Sequence, residues 1–255
     1  MIKRKTAREI EIMRRAGNIA AAARREAGKM VKVGATTLSI NKKLHDFITS
    51  RGATPAFLGY RGYPASVCIS VNEQVIHGIP SPRKLIDGDV VSIDVGVVKD
   101  GYIGDCAATF IAGNGSTDAE RLIKTTQECF YEGLKFARVG YRVSDISRAI
   151  QQFAESNGYS VVREYVGHGV GKKVHEPPEV PNFIEQPRKK ADPRLLPGMT
   201  LAIEPMVNAG KAGIRVLDDG WTVVTIDGET SAHYENTVLI TDDKPEILTV
   251  YEGVP

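Results

Sequence analysis

The feature that most constrains this chain is a pattern of residues that occurs twice. A Val-Gly pair, an amphipathic helix pattern and a closing glycine stand at 33–52 and again, 106 positions later, at 139–158. After each copy come a His-Gly pair, a Gly-x5-acid segment, an Asp-Gly-aromatic turn and one more acidic residue. Such a repeat predicts two similar structural units. We therefore expect one α+β domain, 1–255, whose halves at about 1–112 and 113–255 pack around a pseudo-twofold axis with their strands at the centre.

Two acidic residues interrupt a strand pair in the first half. The runs Val90–Val98 and Tyr102–Phe110 are mostly apolar or small except for Asp94 and Asp105, and a turn signal separates the two runs. A carboxylate inside a buried strand is costly unless it is paired or binds a metal. The hairpin alone leaves a second interpretation open, in which both residues cap turns or lie at an exposed sheet edge.

The repeat extends this acidic pair to a set of six residues. Each half contributes one histidine and two carboxylates in strand or glycine-flanked contexts: His77, Asp94 and Asp105, then His168, Glu204 and Glu235. Four carboxylates brought together repel one another unless cations neutralise them. Carboxylates with imidazoles suit Mn, Fe, Co or Zn, and bridging carboxylates can hold two ions about 3.5–4 Å apart around a nucleophilic hydroxide. Singly, each residue is more typical of a solvated or structural position, but the repeated set favours a two-metal hydrolase.

His175 breaks the symmetry of the repeat. It follows His168 by seven positions and has no counterpart after His77. An extra imidazole beside a metal site is a candidate proton shuttle or substrate hydrogen-bond partner, and the alternative is an exposed loop histidine. The remaining histidines, His45 and His233, are interpreted as structural.

Charge and cysteine content exclude several other classes of protein. A net charge of +2 indicates neither a nucleic-acid partner nor an acidic membrane surface. The three cysteines, Cys68, Cys106 and Cys129, are widely spaced, which favours a reducing, cytoplasmic setting over a disulfide framework or a zinc ribbon. No apolar run approaches the ~20 residues of a membrane span.

Six segments of the chain resemble the type I methionine aminopeptidases. They are GYPASVCISVNEQVIHGIP, SIDVG, GDCAATF, GHGVGKKVHEPP, AIEPM and YENT, and they agree with that family in order and spacing across essentially the whole chain. The resemblance implies the pita-bread fold, with two pseudo-twofold-related halves and a central antiparallel sheet covered by helices. It also implies a hydrolase with two divalent ions that removes the initiator methionine of new polypeptides when the second residue is small.

The resemblance assigns roles to individual residues of this chain. It implies five metal ligands: Asp94, Asp105, His168, Glu204 and Glu235. Asp94 and Glu235 would chelate one ion, His168 and Glu204 the other, and Asp105 and Glu235 would bridge them. Glu204 would also be the general base. His77 would contact the leaving amine or the amide nitrogen after the scissile bond, and His175 the scissile carbonyl as it becomes an oxyanion.

The resemblance also suggests how methionine is bound. Tyr60, Tyr63, Cys68 and Trp221 match positions that line an apolar pocket for the thioether side chain, although packing alone would also explain them. Asn72 and Ser231 match positions near a monovalent-cation site in some members.

Some positions depart from the family pattern. Val174 stands where relatives often carry Phe or Met, and Asn236 stands where His is common. The basic loop Glu185–Leu196 is slightly long and is interpreted as a solvated surface segment. The short separation of His175 and Glu204 favours type I over type II, which carries a long insertion there.

Two alternative functions share the same fold. The first is an Xaa-Pro peptidase, although those enzymes usually carry an additional N-terminal domain for which this chain has no room. The second is a non-catalytic pita-bread protein that binds peptide or RNA, although such proteins typically lose metal ligands. The expected partners are peptides with an N-terminal Met and nascent chains, with ribosome contact following from those substrates. We expect a monomer.

Overall fold

A computed structural model describes residues 2–184 and 192–251. Its helices are α1 Ala7–Met30, α2 Thr37–Thr49, α3 Thr117–Leu134 and α4 Val143–Ser156. In the first half the strands are β1 Thr54–Pro55, β2 Cys68–Val71, β3 Gln74–Ile76, β4 Val90–Lys99 and β5 Tyr102–Ile111. In the second half they are β6 Ser160–Val161, β7 Gly167–Gly169, β8 Glu176–Val180, β9 Thr200–Ile203, β10 Met206–Asn208, β11 Ile214–Val216, β12 Val223–Thr225, β13 Ser231–His233, β14 Glu235–Leu239 and β15 Glu246–Ile247.

The two copies of the repeat form equivalent helices. A capping box opens α1, where the Thr6 hydroxyl accepts the Glu9 backbone N–H and the Glu9 carboxylate accepts the Thr6 N–H at 2.7 Å. Helix α2 starts at Thr37 and α4 at Val143, which preserves the sequence offset of 106. Each helix therefore occupies the corresponding place in its half.

The strands of both halves join in one antiparallel sheet. In the described residues its order is β1-β4-β5-β14-β9-β7-β8, with β2 also on β4 and β15 also on β14. The halves meet where β14 pairs with β5, at Glu235 opposite Ala107. Outward from this seam, β5 is followed by β4 and β2, and β14 by β9 and β7, so the two sides repeat the same arrangement. The predicted α+β architecture is confirmed, whereas the boundary near residue 112, between β5 and α3, stays a prediction.

The central hairpin sets the direction of the acidic side chains. A two-residue turn at Asp100 and Gly101, both at positive φ, joins β4 to β5 and pairs Gly96 with Asp105. Since residues two apart on a strand share a face, Asp94 and Asp105 lie on the same side of the sheet. The opposite side carries apolar residues that pack under the alanine-rich face of α1 in a buried core. The carboxylates consequently face away from the helix layer.

Helix α1 lies unusually close to β5. A Cβ built on Gly104 would lie 2.5 Å from the Cα and N atoms of Gly17, both of them backbone atoms of α1. We expect Gly104→Ala to lower the free energy of unfolding by about 1–3 kcal/mol, because the helix must shift to accommodate the methyl group. Urea denaturation measures the loss. Gly213→Ala is the control, since its nearest neighbour is the flexible end of the Ile226 side chain at 3.2 Å. Equal stability of both variants with the parent would contradict the close packing.

The structure also bears on the expectations drawn from the cysteines and from the apolar runs of the sequence. All three cysteines are free and buried. None of the helices within 2–184 and 192–251 combines the length and apolar character that crossing a membrane requires.

Candidate metal centre

Three carboxylates project from neighbouring strands at the seam between the halves. Asp94 on β4 pairs across the ladder with Ala107 on β5, and Ala107 pairs in turn with Glu235 on β14. Asp105 lies two residues before Ala107 on the same face. The register of three adjacent strands therefore brings Asp94, Asp105 and Glu235 together, and Asp105 and Glu235 are each only 2% exposed.

The second half adds an imidazole and a fourth carboxylate. His168 lies on β7 and Glu204 directly follows β9, and the His168 Nε2 atom is 3.3 Å from the Glu204 Oε1 atom. The Nδ1 atom of His168 lies 3.0 Å from the Gly169 carbonyl oxygen. A proton on Nδ1 donates to that carbonyl and leaves the Nε2 lone pair directed at the carboxylates. Asp105, His168 and Glu235 each offer one ligand atom within 4.8 Å of the others.

The carboxylates lack the partners that buried acids require. Asp94 Oδ1, Asp105 Oδ1 and Glu235 Oε1 are buried and accept no hydrogen bond. Burial and mutual repulsion hold the pKa values of Asp94, Glu204 and Glu235 well above their usual range. Burial also raises the pKa of Asp105 to about 7. Orphaned carboxylate oxygens beside an imidazole nitrogen form a donor set that fits a divalent cation, which would neutralise the repulsion.

The two other predicted histidines lie at the wall of the same site. His77 follows β3 at φ +58, and its ring meets the rings of Tyr165 and Trp221 edge-on at 5.5 and 6.1 Å. His175 lies with its ring centroid 4.2 Å from that of His168. The Nδ1 atom of His175 is 2.9 Å from the Tyr60 hydroxyl oxygen. Each ring is therefore oriented by an aromatic neighbour.

All three histidines are neutral at pH 7. Burial lowers the pKa of His77 to about 4 and that of His168 to about 3. Partial burial, together with the nearby Arg61 cation, lowers the pKa of His175. Neutral imidazoles keep a lone pair for a ligand or an N–H for a substrate oxygen, which is what the predicted roles require.

The predicted site residues lie around one cavity of about 280 Å³. It is lined by all eleven predicted ligand, catalytic and pocket residues: Tyr60, Tyr63, Cys68, His77, Asp94, Asp105, His168, His175, Glu204, Trp221 and Glu235. The Tyr63 hydroxyl donates to the Gly78 carbonyl at 2.9 Å, so its ring rather than its hydroxyl serves as wall, and Trp221 packs edge-on against it. A cavity lined by aromatic side chains and carboxylates can bind an apolar side chain next to a charged reaction centre.

Several residues that line this cavity or lie beside it were not identified from the sequence. Phe57, Ile76, Tyr165 and Val166 add apolar lining, and Arg61 and Glu164 add charge. His233, interpreted as structural, is 2% exposed, has an unpartnered Nε2 atom, and places that atom 3.7 Å from Glu204 Oε2. The sequence feature that could have identified His233 is its position two residues before Glu235.

The remaining sequence predictions have mixed outcomes. The Ser231 N–H donates to the Asn72 carbonyl at 2.9 Å, so these two residues are neighbours, and the monovalent-cation site stays a prediction. Val174 is buried and lines the cavity. Of the loop Glu185–Leu196, residues 185–191 lie outside the described residues. Leu195 is buried in the core, so the interpretation as a solvated loop is wrong for that residue, which its apolar side chain explains.

The Asn236 position is occupied by a buried hydrogen-bonded amide. Its Oδ1 atom accepts from Arg24 Nη1 and from the Thr249 hydroxyl, each at 2.9 Å. The same Arg24 nitrogen donates to the Glu235 carbonyl at 2.9 Å. Helix α1 therefore supports β14 from the side of the sheet opposite to the carboxylates.

Comparison with known proteins agrees with the site. The model of metallopeptidase family M24 matches residues 11–242. The chain therefore belongs to this family of pita-bread metallopeptidases, and the predicted fold class and metal-dependent hydrolase class are confirmed.

Full-length relatives narrow the assignment. The methionine aminopeptidase of Clostridium perfringens is 54% identical over 98% of this chain and 99% of its own length. The crystal structure of methionine aminopeptidase from Rickettsia prowazekii matches with a TM-score of 0.94 and 41% identity, covering 98% of this chain and 100% of that one. Within the family, the chain belongs to the methionine aminopeptidases. Prolidase from Pyrococcus furiosus shares the fold alone, with 24% identity, a TM-score of 0.79, and coverage of 98% of this chain and 66% of that one.

Proposed function

We propose that this protein is a methionyl aminopeptidase that removes the N-terminal methionine of nascent polypeptides, with a preference for a small second residue. The observation that carries the proposal is the meeting of the four predicted carboxylate ligands and three imidazoles in one aromatic-walled cavity. Near-complete coverage of the methionine aminopeptidases at up to 54% identity supports it.

Five residues are proposed to hold two divalent ions, drawn from Co, Mn, Fe and Zn: Asp94, Asp105, His168, Glu204 and Glu235. Asp94, Asp105 and Glu235 would be suited to this role, because each has a buried carboxylate oxygen without a hydrogen-bond partner. When bound, the ions supply Lewis-acid polarisation of the scissile carbonyl, activation of a water molecule, and binding of the free α-amine. The Asn72 and Ser231 region is proposed as the monovalent-cation site.

The chain's own residues supply the proton transfers. Glu204 accepts the proton of the attacking water, because its carboxylate faces the cavity beside the other proposed ligands, 3.3 Å from the Nε2 atom of His168. The same carboxyl group then returns the proton to the leaving amine. His77, at the cavity wall, contacts the amide nitrogen that becomes this amine.

His175 is proposed to stabilise the developing oxyanion. If the Tyr60 hydroxyl donates to Nδ1, the proton of the neutral ring lies on Nε2, which then donates to the carbonyl oxygen as it gains charge. Tyr60, Tyr63, Cys68 and Trp221 enclose the methionine side chain. Ribosome contact, a cytoplasmic location and a monomeric state remain predictions.

Peptide hydrolysis by the metal-loaded protein tests the function. We expect release of methionine from Met-Ala-Ser, slower release from Met-Leu-Ser because of its large second residue, and little hydrolysis of Gly-Pro peptides. Preference for the Gly-Pro substrate would replace the proposal with an Xaa-Pro peptidase. Failure to bind metal, combined with no hydrolysis of any peptide, would favour a non-catalytic binding protein.

A further inference from the structure

A buried ion pair connects the N-terminal segment to the catalytic loop. The Lys5 Nζ atom lies 2.8 Å from Glu176 Oε2, and their side chains are 5% and 7% exposed although the residues are 171 positions apart. Among the Lys and Arg ion pairs of the described residues, this is the only one in which both side chains are nearly inaccessible to solvent. Burying two charges is costly, so their arrangement calls for a functional explanation.

Glu176 fixes the backbone of the loop that carries His175. It is the residue directly after His175 and the first of β8. Its Oε1 atom accepts the backbone N–H groups of Lys172 and Lys173 at 3.0 and 3.3 Å. Through these two hydrogen bonds, the Glu176 carboxylate holds the backbone between Gly171 and His175 in place. Burial alone would raise the pKa of Glu176, but the hydrogen bond and ion pair with Lys5 and the two backbone N–H groups hold it below its usual value.

Lys5 is itself held on a rigid support. Its backbone N–H donates to the Gly198 carbonyl at 2.6 Å, and the neighbouring Arg4 Nε donates to the Pro197 carbonyl at 2.7 Å. These carbonyls belong to the turn before β9, the strand that Glu204 directly follows. The ammonium group thus links the His175 loop to the strand of the proposed general base.

There is little space for this loop to relax while the pair is intact. A Cβ built on Gly171 would lie 2.7 Å from both Glu176 Oε1 and Lys5 Cε. The backbone of Gly171 is also tied to β5, since its carbonyl accepts the Ile103 N–H at 2.9 Å. Loss of the ammonium group would leave Glu176 buried without a cation, which favours a movement of the loop that brings the carboxylate into water.

We propose that Lys5 is a positioning residue for the hydrolysis reaction, acting through Glu176 to hold the His175 ring against the cavity. The proposal rests on the oxyanion role given to His175 under the proposed function. A displacement of about 1 Å in a group that contacts the transition state can lower the rate by about 10²-fold.

The test compares Lys5→Met with the parental, metal-loaded enzyme on Met-Ala-Ser. Met keeps much of the length of the lysine stem and removes the charge. We expect kcat to fall by about 10-fold to 10²-fold with little change in KM, and Lys5→Gln, which keeps a hydrogen-bond donor, to fall less. Arg14→Met is the control, since it removes a solvent-accessible ion pair with Glu246 and should keep the parental kcat.

A double-mutant cycle separates positioning from general destabilisation. His175→Ala alone should lower kcat by about 10²-fold. If Lys5 acts through His175, adding Lys5→Met to His175→Ala should change kcat less than twofold. An equal loss in both backgrounds, or no loss in the parental background, would overturn the proposal.

The histidine ring signals in a heteronuclear NMR spectrum give a readout independent of activity. His175→Ala identifies the His175 signal, which Lys5→Met should shift while the His45 signal stays in place; an unmoved His175 signal would also overturn the proposal. Parental enzyme that releases no methionine would refute the proposed function, whatever the spectra show. A His175→Ala variant with the parental kcat would refute the oxyanion role and the Lys5 proposal together. A lowered kcat for His175→Ala, combined with the parental kcat for Lys5→Met, would refute only the Lys5 proposal.

Discussion

Replacing Glu204 with Gln is expected to lower kcat for Met-Ala-Ser by about 10²–10⁴-fold. The amide has nearly the volume of the carboxyl group, so the cavity keeps its shape, but an amide cannot accept the proton of the attacking water at neutral pH. Steady-state kinetics at saturating divalent metal measure the loss, and single-turnover kinetics place it in the chemical step. A fully active variant would remove Glu204 from the mechanism.

Glu204 is also a proposed metal ligand, so the two roles must be separated. Metal content measured on the same Glu204→Gln sample distinguishes them, because a slow variant that still carries its ions has lost the base rather than the cofactor. Glu229→Gln provides the chemical control, since Glu229 is exposed in a loop and the same substitution there should leave kcat unchanged.

The repeat explains why the sequence predicts so much of this fold. Two copies of one pattern must bury the same kind of surface, and the simplest solution places their equivalent strands side by side, as β5 and β14 are. The alternation of side chains along a strand then fixes the face on which Asp94, Asp105 and Glu235 lie. The alternation along the strands and the symmetry of the repeat were together sufficient to predict where these three carboxylates lie.

The surroundings of the carboxylates depend on long-range packing that no local pattern encodes. His233 ends β13, which pairs with β10 in a separate three-stranded sheet, and its N–H donates to the Thr109 hydroxyl on β5 at 2.9 Å. That tertiary hydrogen bond helps to hold the His233 ring beside Glu204. Tyr165 likewise meets His77 only because two distant segments converge. Sequence reasoning fails where the position of a residue is set by another element rather than by its own.

The contacts of the N-terminal helix α1 were likewise not predictable from its own sequence. Nothing in the local sequence of helix α1 shows that Arg24 donates to the carbonyls of Ala107 and Glu235 on both sides of the seam. A charged residue on a helix normally lies in solvent. In this fold the cation bridges the two halves where β5 and β14 meet.

Metal removal is expected to make the stability of this protein fall as pH rises from about 6.5 to 8. In the metal-free folded state burial raises the pKa of Asp105 from 3.8 to about 7, and the pKa values of Asp94, Glu204 and Glu235 are raised as well. The unfolded chain has released these protons by pH 6.5, whereas the folded chain still binds some of them. Stability then decreases with pH by up to roughly 1.4 kcal/mol per pH unit for each such proton.

The buried histidines oppose this trend in the lower part of the pH window, so the contribution of the carboxyls is taken from the comparison with a variant and with the metal-bound protein. His77, His168, His175 and His233 have lowered pKa values, so the unfolded chain binds more protons at these groups, and their contribution to stability rises with pH until the free imidazoles are deprotonated, about one pH unit above 6.5. Urea denaturation of the chelator-treated protein at pH 6.5 and 8 measures the change. Asp105→Asn should reduce it by removing one titrating group, and saturating Mn²⁺ should abolish it because the bound cation favours the ionised carboxylates at both pH values. Metal-free protein as stable at pH 8 as at pH 6.5 would mean that the carboxylates are not packed together without a cation, and the case for a cation-dependent centre would lose its electrostatic basis.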